Sequence, residues 1–359
     1  MTDNVFDRLF ELLQSSGPVN WKLAREVATS LSGQAEPIEP RLAEEYIELT
    51  RVAEFHVERA SGLPAAPAAA AVNPVDRHRW ATDNLEAFAY LVEPMAEKLG
   101  DMGGVEPFGS MLKPLGPALV GMQIGSLVGL MSHRVLGQFD TGLPPLGRSG
   151  LYYVVPNAEA FAVDHGIDPA QARLWVALQE VTHHTEYAVP WVRGHLEGLV
   201  RRYLGSLRFD PAALTERFES MQDPEELESF LQQPGAALGL VSGEGHREAL
   251  EQIQAFVALI EGYADHLMDR AAPDLIPETP RIREAMNRRR AEPSEGEQAL
   301  QGLVGLELRR DQYRLGSGFC AEVERRWGRE QLAAIWEGPE HLPTGAELED
   351  PVGWAARQL

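Results

Sequence analysis

The chain has 359 residues, of which 44% are hydrophobic and 24% charged, with a formal net charge of −22 and one cysteine, Cys320. That composition is globular rather than disordered, and the length suits one large domain or two ordinary ones. The acidic balance argues against nucleic acid or an anionic membrane surface as principal partner, since each needs a concentrated basic face. A lone cysteine excludes an intramolecular disulfide framework and any Cys-based zinc cluster.

The N-terminal residues lack the basic start and uninterrupted apolar core of a secretory signal, so a cytoplasmic location is expected. Leu23, Val27 and Leu31 recur at helical intervals, as do Leu42, Tyr46, Leu49, Ala53 and Val57, which predicts a helical hairpin. Pro64 to Asn73 is rich in Ala and Pro and reads as a loop before a helix through Trp80, Leu85, Phe88 and Leu91. Leu115 to Met131 is the most apolar window, about as long as the lower limit for a membrane span. It reads as a buried helix running to about Leu136, whose Gly121, Gly125 and Gly129 form a small face open to another helix. A turn-rich stretch from Gln138 to Pro145 follows, then the clearest strand candidate, Leu151 to Pro156. That strand is either a substrate edge or a short buried extended segment.

Asp168-Pro169-Ala170-Gln171 is a strong helix start, with an acceptor at the N-cap, Pro in the first turn and Gln placed for a capping box. The helix should run to about Tyr187, before Pro190. Further helices are predicted near 211–219, 224–232, 246–270, 280–290, 296–315 and 318–337. Arg288-Arg289-Arg290 would serve a helix C-terminus, where cations favour the dipole.

The Asp168 helix carries Gln179-Glu180-Val181-Thr182-His183, one residue short of the His-Glu-x-x-His pattern in which two imidazoles hold zinc and the Glu activates water. With Gln179 in the first position, an amide oxygen replaces an imidazole and the metal site is weakened. Glu180 is the candidate general base and His183 the candidate ligand. The same residues on a buried amphipathic helix, with Glu180 paired to an Arg or His, would need no metal at all.

A third ligand has several sources. Glu261 lies at the edge of the apolar stripe Leu250, Ile253, Val257, Ile260, Ala264 and Leu267, with Asp265 one turn on. That spacing suits a metal ligand followed by a carboxylate that orients a zinc imidazole. Glu307 sits among apolar residues and wants a partner, either a metal or a nearby Arg. His195 follows the turn at Pro190 and could fold back. His184 is adjacent to His183 but projects about 100° away on a helix. A metzincin third His is excluded, because the sixth position after His183 is Val189.

Five separated segments resemble zincin-like metallopeptidase family 2, found chiefly in actinobacteria: Gly17 to Ala24, the Gly121 to Gly137 helix, Leu174 to Leu196, Val257 to Asp269, and Leu303 to Arg309. The resemblance implies a mainly α, helical zincin-like fold with at most a small β element near 151–156. It also implies a single domain over residues 1–359, in which a helical N-terminal region (1–100) precedes a motif-bearing core (101–340) and a C-terminal tail (341–359). By family label it implies a zinc-dependent metalloprotease or hydrolase, with Glu180 at the motif glutamate and His183 at its second histidine; an active enzyme would be expected to cleave a peptide or amide. Gln179 departs from the pattern. The alternative is a non-catalytic zincin-like binding or scaffold protein that has lost the metal site and takes a protein partner. Neither nucleic acid nor a membrane is expected as partner.

Overall fold

Helices dominate, as the periodicity predicts. The computed structural model describes residues 17–63, 66, 71–101, 109–146, 150–207, 244–304 and 310–358. Asn20 caps α1 (Trp21–Leu31) by accepting the Leu23 N–H at 3.0 Å. Helix α2 (Pro40–Ser61) closes on Gly62, whose φ of 70° suits a residue without Cβ. After strand β1 (Val72–Val75) come α3 (Arg77–Asn84), a 3-10 turn (Leu85–Phe88), α4 (Ala89–Asp101) and α5 (Gly109–Met131).

The small face of α5 receives α1. A methyl on Gly121 would lie 2.5 Å from the Asn20 carbonyl oxygen, and one on Gly125 would lie 2.4 Å from that of Ala24. This close approach occupies the face that a membrane dimer would have used, and no helix among the described residues is long and apolar enough to cross a membrane.

Strand β2 (Leu151–Val154) pairs in parallel with β1, Val72 opposite Leu151 and Val75 opposite Val154. β1 escaped prediction because Pro74 argues against a strand, yet Pro is tolerated at a sheet edge, where its missing donor is not needed. The β2 segment is shorter than its composition suggests. Val155 already begins α6 (Val155–His165), whose first turn accommodates Pro156. The expectation of a substrate edge is corrected here. The second edge of β2 is closed by an antiparallel bridge between Gly137 and Tyr153, with the Val154 N–H donating to the Leu136 carbonyl at 2.9 Å. All four β2 residues are buried.

The motif helix is α7 (Pro169–Ala188), capped by Asp168, which accepts the Gln171 N–H. The Gln171 side chain does not complete a capping box; its oxygen accepts the Glu278 N–H instead. Then come α8 (Val192–Ser206), α9 (Glu244–Ala271), α10 (Thr279–Ala291), α11 (Glu295–Val304), α12 (Arg310–Trp327), α13 (Arg329–Ala333), α14 (Gly345–Glu349) and α15 (Pro351–Arg357). The helix expected over 318–337 is interrupted at Gly328, where φ is 87°. The helices expected near 211–219 and 224–232, and the middle of the one expected over 296–315, lie outside the described residues.

α9 and α12 cross at glycines: a methyl on Gly316 would lie 1.8 Å from the Ala258 carbonyl oxygen. α7 runs through the interior against α2, α6, α8, α9 and β2. A single apolar cluster extends from Val19 to Ala355. The tail joins it through Trp354, fully buried edge-on against Phe319.

Candidate functional site

Because α7 is packed on most of its circumference, its polar residues are buried along with its apolar ones. Gln179, Glu180, Thr182, His183, Thr185 and Glu186 are all in the interior. A buried polar group destabilises the fold unless it is hydrogen-bonded, so the partners of these residues define what the site can do.

Glu180 is 1% exposed. Its Oε2 accepts the Gln138 N–H at 2.7 Å and the Phe139 N–H at 2.9 Å. The loop lies so close that a methyl on Gly137 would sit 2.2 Å from Glu180 Cδ. Burial pushes the Glu180 carboxyl well above the usual carboxylate range; nearby Asp140 adds to this, and the two backbone donors oppose it. The turn-rich stretch after α5 thus wraps the candidate base. Its conformation is held in turn by Asp140, which accepts the Leu136 N–H at 2.8 Å and pairs with Arg289 at 2.6 Å.

His183 is also 1% exposed. Its Nδ1 is 2.8 Å from Glu186 Oε2, and its Nε2, without a hydrogen-bond partner among the described residues, is 4.0 Å from Glu261 Oε2. Burial, reinforced by Arg290, lowers the imidazole pKa to about 4, so it is neutral at physiological pH. Glu186 is fully buried, and its second oxygen also lacks a hydrogen-bond partner among the described residues. Glu261 keeps a trace of solvent access, 8%. Burial raises its carboxyl to about 7 against the lowering effect of Arg290.

The tertiary structure therefore brings His183 and Glu261 together, as their spacing on separate helices could not reveal. Asp265 takes a different place from the one expected. Both its oxygens pair with Arg290 Nη1, at 2.8 and 3.1 Å, and the carboxylate on the His183 ring is Glu186. Glu186 was legible as the residue one turn after His183. Arg290 was not, because α10 reaches α9 only in the folded chain. Its guanidinium also lies 3.8 Å from Glu261.

His195 and His184 have surroundings of their own. His195 is half-buried in an aromatic setting, its ring 5.7 Å from Trp191 and 5.4 Å from Phe256. His184 is half-buried with its Nδ1 lacking a hydrogen-bond partner among the described residues, and burial followed by Arg193 lowers its pKa. Gln179 is 7% exposed and makes no side-chain hydrogen bond among the described residues. Glu307 lies outside them.

These residues do not fit a catalytic zinc. Such a metal usually takes three protein ligands, whereas His183 Nε2 and Glu261 supply two, and a guanidinium already stands beside the carboxylate. No cluster of three or more His, Cys, Asp or Glu able to hold a metal occurs among the described residues.

The sequence profile of zincin-like metallopeptidases matches residues 19–355. Among solved structures, the chain is similar to one from Chloroflexus aurantiacus described as a "putative hydrolase with a novel fold". The two share 26% identity over 95% of this chain and 98% of that one, with a TM-score of 0.70. No curated protein matches.

Proposed function

The chain belongs to the zincin-like metallopeptidase family, and from that premise we propose that it is a non-catalytic zincin-like protein, whose motif helix is a structural core and whose task is to bind a protein or peptide partner. One observation carries this reading. Glu180, the would-be base, is sealed under residues 137–139 with two backbone N–H groups on one oxygen. A general base must reach a water or substrate proton within hydrogen-bond distance, whereas one oxygen of this carboxyl is committed to the backbone and the residue is only 1% exposed. The expected result for purified full-length protein incubated with zinc and dialysed is substoichiometric metal, unchanged by His183→Ala, and no cleavage of a peptide library. Stoichiometric zinc lost in His183→Ala, together with peptide cleavage lost in Glu180→Gln, would overturn it.

A second reading, a metallopeptidase-type hydrolase acting on a peptide or amide, is favoured by the His183 imidazole itself. A metal-binding imidazole usually has its other nitrogen held by a carboxylate, and Glu186 does that here while Nε2 faces Glu261. In this reading His183 and Glu261, helped by Gln179 or His195, would hold the metal, and Glu180 would serve as base once the 137–139 loop had moved away. The same zinc and cleavage measurements decide between the two.

A further inference from the structure

Glu261 lies 4.0 Å from His183 Nε2, Asp265 follows it one turn on along α9, and Glu186 holds the other nitrogen of the His183 ring. Acidic side chains drawn together in a mostly buried place need a compensating cation. In a zinc site the metal supplies that charge. Here the available cation comes from α10. Arg290 pairs with Asp265 through Nη1 at 2.8 Å and approaches Glu261 through Nη2 at 3.8 Å, with its side chain 21% exposed. It enters from the last turn of α10, where the neighbouring Arg289 is fastened to Asp140 on the loop that covers Glu180. The two arginines thus serve the two halves of the former site.

We infer that the Arg290 guanidinium takes the place of the metal cation in this fold, pairing with Asp265 beside Glu261 and thereby excluding a divalent ion from the His183–Glu261 gap. The inference rests on the non-catalytic reading above and adds its cause. A fixed positive charge a few ångströms from the ligand carboxylate repels a dication and lowers the carboxylate's donor strength. With that charge in place, an imidazole at position 179 is no longer required to complete a coordination shell, and Gln179 is tolerated there.

The test uses the full chain and zinc alone as ligand, with binding read by metal content after dialysis and by zinc-dependent thermal shift. Four proteins are compared: the parent, Gln179→His, Arg290→Gln and the double variant. Gln at 290 keeps a donor for Asp265 but no charge. The double variant should bind zinc about 10–100-fold more tightly than Gln179→His alone, the range in which groups outside the ligand shell tune a metal site. That gain should vanish when His183→Ala is added. Equal affinity of Gln179→His and the double variant would overturn the inference, as would a folded double variant that binds no zinc. If Arg290→Gln fails to fold, zinc titration of Gln179→His followed by the Arg290 Nε–H resonance gives the answer. A guanidinium displaced by zinc changes its shift, and an unchanged resonance with zinc bound overturns the inference. Stoichiometric zinc in the parent protein would instead sink the non-catalytic reading, so the two failures are distinguishable.

Discussion

Gly137 and Glu180, which belong to separate elements of the chain, are in direct contact, so close that a methyl group on the glycine would lie 2.2 Å from the carboxyl carbon. The contact joins the loop after α5 to the centre of α7. Gly137→Ala should therefore overpack the interior and cost about 1–3 kcal/mol. The cost should shrink in a Glu180→Ala background, where the space is vacated. Denaturant unfolding of the double-mutant cycle measures this, and strict additivity would show that the two residues do not press on each other.

Glu180 serves as an acceptor more than as a charge. Glu180→Ala leaves the Gln138 and Phe139 N–H groups buried without their acceptor, at about 1–3 kcal/mol for each unsatisfied group. Glu180→Gln keeps an oxygen in reach and should cost less than half as much. Urea midpoints of the two variants compare them directly. Equal losses would mean that the negative charge, not the hydrogen bonding, holds the loop.

Glu261 and His183 titrate in opposite senses. The Glu261 carboxyl is raised from 4.5 to about 7, so the folded state keeps a proton that the unfolded chain has released. Its contribution is complete below the unfolded pKa and is lost as pH rises through about 7. The His183 imidazole is lowered from 6.5 to about 4, so its contribution is complete above 6.5 and is lost as pH falls toward 4. Glu261→Gln removes only the first term. The variant should gain stability relative to the parent between about pH 5 and about pH 7.5, seen as diverging unfolding free energies. A pH-independent difference would contradict the assignment.

Glycines at helix crossings should be irreplaceable, and those facing open space should not. Gly316→Ala would drive a methyl to 1.8 Å from the Ala258 carbonyl and force α12 off α9, costing upward of about 3 kcal/mol by overpacking. Gly198, inside α8, has nothing within 4 Å of an added methyl. Gly198→Ala should stabilise by about 0.5–1 kcal/mol through backbone entropy. Thermal unfolding of the pair should move in opposite directions.

Much of the architecture was legible along the chain because its causes are local. The Asp168 cap, the Pro190 stop and the apolar stripe of α9 act within a few turns of helix, and the structure places α7 at Pro169–Ala188 and α9 at Glu244–Ala271. The small face of α5 was readable for the same reason, although its occupant, α1, was not. Where prediction missed, a distant partner intervened. β1 exists because β2 pairs with it, despite Pro74. The α6 helix starts at Val155 because the backbone leaves the sheet there, a boundary that β-branched composition alone hides.

At the candidate site the division is sharper. The order of residues alone determined that the motif helix carries Glu180 and His183 one turn apart and an amide at Gln179, since helical geometry places neighbours three and four positions on along the same side. Only the tertiary structure decided what faces them from other elements: the 137–139 backbone on Glu180, Glu261 on the Nε2 side of His183, and Arg290 beside Glu261 and Asp265. Those contacts join segments up to 78 residues apart, as between His183 and Glu261, and electrostatics and desolvation depend on distance in space, which no spacing in the chain encodes.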